Sequence, residues 1–453
     1  MIVKLHHWWQ DARTSFWFVP ALIVLGAVSL AAGLIAVDTS TDLNVDERWP
    51  LIFGSGAAGS RGLLTAVASS MITVAGVVFS ITIVALSLTS SQYTSRVLRN
   101  FMRDRRNQVV LGVFVGIFAY CLVVLRTIRG GDEIAFVPSM SVLGGLGLAF
   151  VGIGFLIYFI HHISISIQAS SIIAAAAEET IVAIDRLFPE ELGDSIDDTV
   201  TDSRLAYLES MTWTDIKATK TGYIESVHGD ALLDLAKKHE CIIRMQRGIG
   251  EFVVAGMPLV SVAELSGPIE GFGCDLNTIF IISRHRTVDQ DAGFGIRQIV
   301  DISLKALSPG VNDTTTAVMC VDYLSAILSK LANRGTASAQ RLDKGKLRVI
   351  ARGPCFGSLL AEAFDQIRQN AQSNVAVLAC QLQALEIIAC QTSHRKRRQQ
   401  LRNHADLIIE VAGRTIPSAH DKAIVMAAFV RLTKVLDEHP FKSESTDETP
   451  QHN

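Results

Sequence analysis

The stretch Leu63–Leu88, which reads LLTAVASSMITVAGVVFSITIVALSL, decides the fold class because it is long and apolar enough to cross a lipid bilayer. It lies in a charge-free run from Gly62 to Ser95, and a transmembrane helix needs about 20 apolar residues. The sequence therefore predicts four transmembrane helices within a membrane domain of residues 1–165. The three other apolar stretches of comparable length are Trp17–Val37, Gln108–Leu125 and Phe136–Ile160.

The composition of the chain supports a membrane protein and excludes some functions. Of its 453 residues, 49% are hydrophobic, and the mean hydropathy is +0.33. The 41 basic and 44 acidic residues nearly cancel, so the net charge gives no sign of nucleic-acid binding. The seven cysteines form no C-x-x-C pair, and no metal-ligand spacing is present. We therefore expect no nucleic-acid partner, no metal and no cofactor.

Arginines beside the spans predict the orientation in the membrane. The segment between the second and third spans holds five arginines, whereas the other two joining segments hold two each. Because positive residues accumulate in cytoplasmic segments, we expect a multi-pass protein of the bacterial inner (plasma) membrane with both termini in the cytoplasm. Four of the five arginines share a helical face that is expected to contact lipid head groups, with a gate-coupling helix as the alternative. They are Arg96, Arg99, Arg103 and Arg106.

The second span carries small and hydroxylated residues on one face, which is interrupted by Val84. Such a stripe serves either close helix packing or the uncharged lining of a pore, and both interpretations stay open. None of the four spans contains Asp, Glu, Lys or Arg. This argues against an ion-coupled transporter and is compatible with a channel. The stripe consists of Ser69, Thr73, Gly76, Ser80, Ser87 and Ser91.

The remaining chain predicts a cytoplasmic α+β region, and the fourth span is expected to continue as one long helix to about Phe188. The pattern G-x-F-V-x-x-G-x-P-L, Gly250–Leu259, is similar to the half-barrel of biotinyl and lipoyl carrier domains, but the lysine that those domains modify is absent. We expect a small carrier-like β-barrel without a cofactor. In the helical part that follows, the basic run His394–Arg402 predicts a solvated face or a contact with anionic lipid. The expected divisions are a juxtamembrane helix and acidic hinge (166–215), the barrel (216–270), a mainly helical cytoplasmic domain (271–440) and a disordered tail (441–453).

Charged residues crowd the segment Ser283–Ala317, which reads SRHRTVDQDAGFGIRQIVDISLKALSPGVNDTTTA. Each of them can have a structural role in a joint between two helices. The density of arginines and aspartates also suits a small anion or a regulatory ligand. No nucleophile is paired with a base, so we do not expect an enzyme. The ligand or regulatory candidates are Arg284, Arg286, Asp289, Asp291, Arg297, Asp301, Asn312 and Asp313.

Two segments, Ser69–Leu125 and Asp289–Ala317, carry a resemblance to a known family. Together with the motif ALSPGVNDTTTA, they resemble the predicted bacterial membrane family called domain of unknown function 2254. The resemblance extends from the first span to the C-terminal helices. It implies a membrane topology and no established activity. It also implies a proline after the Asn-Asp pair, where this chain has Thr314.

The spans and the stripe favour an oligomeric channel or passive transport protein with a regulatory cytoplasmic region. In this interpretation the second span lines the pore, and the partners are the bilayer and further copies of the chain. The alternative is a membrane-anchored sensor or scaffold that binds a small anion or a protein through its cytoplasmic region. A membrane enzyme ranks third because the sequence contains no catalytic constellation.

Overall fold

The computed structural model consists of two units, Met1–Ile172 and Ile173–Asn453, each of which is described by itself. Most of the predicted acidic hinge and all of the predicted disordered tail lie outside the residues that the structure describes. The described residues are 17–40, 56–92, 105–129, 136–188, 208, 210–264, 269–334, 340–343 and 346–438.

Four long apolar helices make up the first unit. Each has the length and composition to cross a membrane, with mean hydropathies between 2.2 and 2.5. They correspond to the four predicted spans, and the second is longer than its apolar stretch at both ends. The helices are α1 (Phe18–Ser40), α2 (Gly56–Gln92), α3 (Arg105–Thr127) and α4 (Ser139–Ser166).

Polar contacts hold four helix ends together on one side of the first unit. Asp38 near the end of α1 accepts hydrogen bonds from the backbone N–H groups of Met140 and Ser141, each at 3.0 Å, at the start of α4. Near the start of α2, Arg61 donates to the carbonyl oxygen of Ile128, which follows α3, at 2.7 Å. A backbone bridge between residues 129 and 136 joins the end of α3 to the start of α4. The four helices therefore alternate in direction, as consecutive spans must.

One face of α2 packs inside the first unit. Its buried residues recur every three or four positions, which is the spacing of a helix seam. Small residues bring neighbouring helices close elsewhere in this unit: a Cβ at Gly112 of α3 would lie 2.9 Å from the Cα of Pro20 in α1. The buried residues of the α2 seam are Leu64, Ala68, Met71, Ala75, Val78, Thr82, Ala85 and Thr89.

The long helix predicted to follow the fourth span is interrupted. The helix α4 ends at Ser166, and a separate helix, α5 (Ala169–Leu187), begins three residues later. At the break, the N–H of Gln168 donates to the carbonyl oxygen of Ile165, at 3.1 Å. This bond tightens the last turn and takes the chain out of the α-helical pattern. The sequence did not predict the break because both sides of it have helical periodicity.

The described residues of the second unit form eight strands in two open sheets. A five-stranded sheet has the order β1-β5-β3-β8-β7, and a three-stranded sheet has the order β4-β2-β6. Among these eight strands, the β3–β8 pair is parallel and the other pairs are antiparallel. The strands are β1 (Thr214–Lys217), β2 (Gly222–Val227), β3 (Ile242–Met245), β4 (Phe252–Val253), β5 (Pro258–Ala263), β6 (Phe280–Ser283), β7 (Gln340–Asp343) and β8 (Lys346–Ile350).

The predicted carrier-like barrel is wrong, because neither sheet in the described part of the chain closes on itself. The pattern that suggested it does form β4 and β5, but these two strands belong to different sheets. Strands from later in the chain complete both sheets, since β6 pairs with β2 and β8 pairs with β3. A local pattern carries no information about such distant partners.

Eight further helices are named in the described part of the second unit. One of them, α9, also has the length and composition of a membrane span, with a mean hydropathy of 1.2. Half of its apolar stretch is buried, and it packs against α8 and α11, so burial within the second unit accounts for its composition. The helices are α6 (Gly229–Lys238), α7 (Ile269–Ile279), α8 (Ala292–Ala306), α9 (Thr314–Ala332), α10 (Phe356–Ala371), α11 (Val375–Cys390), α12 (Arg395–Thr415) and α13 (Ala419–Glu438).

Two arginines of the basic run at the start of α12 are buried, so the predicted solvated face is wrong for them. Arg397 donates to the carbonyl oxygens of Ala332 and Arg334, both at 2.7 Å, just at the end of α9. Arg398 donates to three carbonyl oxygens at the ends of α11 and α13. The last carbonyls of a helix have no partner within the helix and carry partial negative charge. Guanidinium groups therefore fit there.

Candidate functional site

The stripe of α2 faces away from the helices of its own unit. All five candidate pore-lining residues, Ser69, Thr73, Gly76, Ser80 and Ser87, are exposed. At 100° per residue, they lie roughly 160° around the helix from the buried seam. A Cβ added at Gly76 would meet nothing within 4 Å. The side chain of Ser91 lies outside the described residues.

The hydroxyl groups of the stripe are partly satisfied by their own helix. Ser69 donates to the carbonyl oxygen of Thr65 at 2.6 Å, and Thr73 donates to the carbonyl oxygen of Ser69 at 2.7 Å. Each hydroxyl then keeps oxygen lone pairs that can accept hydrogen bonds from outside. Among the described residues of the chain, nothing packs on this stripe. The stripe therefore takes no part in the helix packing of the first unit.

Four of the predicted ligand residues form a cluster before and along α8. Arg286 Nε lies 2.7 Å from Asp291 Oδ2, and the Asp291 side chain is only 6% exposed. The other carboxylate oxygen of Asp291 accepts the backbone N–H of Phe294 at 3.0 Å and so caps α8. One turn further, Arg297 Nε lies 2.8 Å from Asp301 Oδ1. These four residues thus form two ion pairs.

Glu362 of α10 is the fifth member of this cluster, and the sequence did not predict it. A Cβ added at Gly293 of α8 would lie 3.2 Å from Glu362 Oε2 and 3.3 Å from Asp291 Oδ1, so both carboxylates approach the same point of the backbone. The signal in the sequence is weak: no basic residue stands three or four positions from Glu362. A partly buried carboxylate without a partner on its own helix must find one elsewhere.

The pKa of Glu362 is raised above the ordinary value of a glutamate. Burial is the largest cause, because it penalises the charged form. Arg286 and Arg297 oppose the shift, whereas Asp291 and Asp301 add to it. With two arginines and three carboxyl groups, the cluster already holds more acidic than basic groups. It is therefore better suited to taking up a proton at Glu362 than to binding an additional free anion.

A glycine turn brings the backbone against this cluster. Gly250, in the turn between β3 and β4, has a φ of +82°, and a Cβ there would lie 2.3 Å from Asp291 Oδ2. Only glycine fits this position without displacing the carboxylate. The next residue, Glu251, pairs with Arg352 at 2.8 Å. The cluster is thus enclosed by the sheet region as well as by α8 and α10.

The other predicted ligand residues do not join the cluster. Arg284 is exposed, and Asp289 forms an exposed pair with Arg186 at 3.9 Å. Asn312 and Asp313 follow the far end of α8, whose 15 residues place that end roughly 22 Å from the Arg286–Asp291 pair at its start, at 1.5 Å per residue. The eight candidates therefore do not form a single site.

The joint after α8 has a structural role. Asn312 adopts a left-handed conformation with a φ of 49°, and Asp313 caps α9 by accepting the backbone N–H of Thr316 at 3.0 Å. The hydroxyl of Thr316 also donates to Asp313, at 2.5 Å. Both bonds lower the pKa of Asp313, and the bond from the Thr316 hydroxyl is the larger cause. The motif therefore ends one helix and starts the next.

The predicted lipid contacts are only partly within the described residues. Arg106 is exposed in the first turn of α3, where contact with lipid head groups stays a prediction. Arg96, Arg99 and Arg103 lie outside the described residues. Within the described ranges, no group of three or more His, Cys, Asp and Glu residues is arranged to hold a metal ion.

Comparison with known proteins gives one family and a set of bacterial relatives. The sequence model of a family described as "Predicted membrane protein (DUF2254)" matches residues 13–387. The chain is 34% identical to uncharacterized protein Mb1321c of Mycobacterium bovis and to uncharacterized protein Rv1290c of Mycobacterium tuberculosis. Each alignment covers 93% of this chain and 80% of the relative. No solved structure matches.

Proposed function

Because this chain belongs to the family of predicted membrane proteins DUF2254, we propose that it is an integral membrane protein whose copies associate around the stripe of α2 to form a channel or passive pathway. The observation that carries this proposal is the outward position of the stripe on α2. The second unit, with its charged cluster, is then the regulatory part.

The hydrocarbon of a lipid bilayer provides no hydrogen-bond partners for the hydroxyl groups on this face. Hydrocarbon cannot donate or accept hydrogen bonds, so polar groups within the membrane face other helices or water-filled paths. Small residues also give lipid little side-chain surface to contact, whereas they let helices approach closely. Since Ser69 and Thr73 donate to their own backbone, the outward side presents acceptor oxygens. A lining of that kind favours cations over anions.

The exposed face has a regular spacing that suits contact between copies. Its small residues recur at intervals of three and four, as the seam of two interacting helices requires. The series is interrupted at Val84, between Ser80 and Ser87. The helix α2 therefore has two seams, an apolar one that packs within the chain and a small-residue one on the other side. The exposed small residues of this series are Gly62, Ala66, Ser69, Thr73, Gly76, Ser80 and Ser87.

Conductance of the purified protein in planar bilayers tests this proposal. We expect discrete, cation-selective currents from the wild type and their loss or reduction in Ser80→Phe, because a phenyl ring would obstruct a shared axis. The matched control is Ile81→Phe, which adds a phenyl ring at the next residue, also exposed but about 100° around the helix. It should conduct like the wild type.

Two results would contradict the channel. One is a bilayer that stays silent across voltage, tension and pH with a protein that is folded and oligomeric. The other is an equal effect of the two phenylalanine substitutions, since that would assign any current to a general disturbance of α2 rather than to its stripe.

A second candidate function is a membrane-anchored sensor, in which the two arginines of the charged cluster would hold an anion. An anion could bind there only by displacing a carboxylate, for example Asp301 from Arg297. Calorimetric titration of the full chain with inorganic phosphate tests this. Saturable binding that Arg297→Ala abolishes and Arg284→Ala, outside the cluster, leaves intact would support the sensor. If the full chain does not bind phosphate, the result contradicts an anion sensor at this cluster.

A further inference from the structure

Three large apolar side chains are exposed together at one turn of the second unit. Phe252 is 49% exposed, Val254 49% and Met257 47%. They lie in β4 and in the turn between β4 and β5, a segment that we call the apolar tip (residues 252–257). Exposed apolar residues that occur singly need no explanation, but a group at the end of a turn indicates a contact surface.

The apolar tip is held rigidly to the neighbouring turn that joins β1 and β2. The N–H of Gly256 donates to the carbonyl oxygen of Ala218 at 2.8 Å. In return, the N–H of Ala218 donates to the carbonyl oxygen of Met257 at 2.9 Å. The N–H of Ala255 donates to the hydroxyl of Thr221 at 2.9 Å. The apolar side chains are therefore presented on a preformed support, which lowers the entropic cost of inserting them.

Two lysines flank the apolar side chains, one at the end of β1 and one on this second turn. Lys217 and Lys220 are both exposed, and the register pairs Lys217 with Pro258 directly after the tip. Among the residues that the structure describes, neither lysine forms an ion pair. The surface thus combines apolar groups for insertion with two positive charges beside them.

We propose that the apolar tip docks on an anionic lipid surface, with Phe252, Val254 and Met257 in the apolar layer and the two lysines at the phosphate groups. This chemistry matches the interface of a bilayer, where apolar groups enter and basic groups meet acidic head groups. A single turn is too small for a stable contact with a second copy, which needs about 800 Å² on each partner. A chain that is anchored in the membrane also holds the tip at a high effective concentration near lipid.

A spin label at the tip tests this in the full chain. The exposed cysteines Cys274, Cys355 and Cys390 are replaced by serine, and Val254→Cys is labelled and reconstituted in nanodiscs. The discs contain phosphatidylcholine alone or with phosphatidylglycerol. We expect the label to gain access to oxygen and lose access to a water-soluble nickel reagent when phosphatidylglycerol is present. The matched control is Val311→Cys, a valine of similar exposure in a turn without lysine.

A second variant tests the contribution of the two lysine charges. Lys217→Glu with Lys220→Glu alters only exposed positions, and it should return the Val254→Cys label to water in the phosphatidylglycerol discs. A label that stays in water in both lipid compositions would overturn the proposal, as would equal shielding with and without phosphatidylglycerol. Shielding in detergent that grows with protein concentration would assign the tip to a second copy instead and overturn it as well.

Discussion

Glu362 shows how a single carboxylate is affected by two neighbouring ion pairs. Burial raises its pKa, and the nearby aspartates add to the shift against the two arginines. A glutamate whose pKa is higher in the folded than in the unfolded state binds its proton more tightly when folded. Its contribution to stability therefore increases as the pH falls from above the folded pKa towards the ordinary value.

The first prediction concerns this pH dependence. Glu362→Gln removes the titration, so the rise in the free energy of unfolding between the folded pKa and the ordinary glutamate value should flatten. Above that window the variant should be at least as stable as the wild type, because a neutral amide is less costly to bury than a carboxylate. Denaturant unfolding across pH measures this. Glu410→Gln on the exposed side of α12 is the control, and a wild-type slope in Glu362→Gln would contradict the assignment.

Arg398 supplies the second prediction at this scale. It is buried and donates to the carbonyl oxygens of Ala389, Thr392 and Val435. Replacing it by alanine leaves three acceptors at two helix ends without this donor, which should lower the free energy of unfolding by about 3 kcal/mol. Arg398→Lys should recover part of the loss, because one ammonium group cannot reach all three oxygens.

The control for Arg398 is an exposed positive charge in the same turn of α12. Lys396→Ala removes such a charge and should change the free energy of unfolding by less than about 0.5 kcal/mol. Equal losses in Lys396→Ala and Arg398→Ala would mean that the net charge of the turn matters and the helix-end bonds do not.

At the scale of elements, α8 approaches α5 closely at Gly295. A Cβ added at Gly295 would lie 2.0 Å from the hydroxyl oxygen of Thr180 and 2.9 Å from its Cβ. Gly295→Ala should therefore lower the free energy of unfolding by about 1–3 kcal/mol, although alanine is the better helix former. Gly310→Ala, where the added Cβ meets nothing within 4 Å, should cost far less.

A double-mutant cycle identifies the cause of this loss. If the clash with Thr180 is responsible, then Thr180→Gly should cancel most of the effect of Gly295→Ala, and the coupling between the two positions should be favourable. Additive effects in thermal or denaturant unfolding would contradict a direct contact between α5 and α8 at this point.

The elements that the sequence predicts well are those with local signals. Four spans follow from apolar length alone, and the stretch Leu63–Leu88 lies within α2 as expected. The barrel was wrong because the partners of β2 and β3 come from β6 and β8, much later in the chain. The composition of the α2 stripe was visible in the sequence, but the direction it faces depends on where α3 and α4 pack.

The candidate site follows the same division between local and distant signals. Arg286, Asp291, Arg297 and Asp301 were selected because they crowd one segment, and the structure does bring these four together. Glu362 was missed because it joins them from α10 through a close approach at Gly293. Asn312 and Asp313 were included because they lie in the same short segment of sequence. In the structure, α8 separates them from the Arg286–Asp291 pair.

At the scale of the whole molecule, the two seams of α2 imply that a single chain leaves a surface uncovered. The apolar seam is occupied within the first unit, whereas the small-residue seam is exposed over several turns. If copies associate through it, equivalent residues of different copies must lie close to a common axis. Residues on other exposed faces of α2 would then point to lipid.

The final prediction uses that geometry. With the three exposed cysteines replaced by serine, Ser80→Cys in lipid bilayers should form covalent dimers or larger species with a short thiol-reactive cross-linker. The yield should not fall when the protein is diluted with lipid, because the copies are already associated. Ile81→Cys, exposed to the side of the stripe, should remain monomeric. Equal yields at the two positions, or a yield from Ser80→Cys that disappears on dilution, would mean that the contacts are random collisions. The stripe of α2 would then face lipid in a monomer, and both the shared axis and the pore would have to be abandoned.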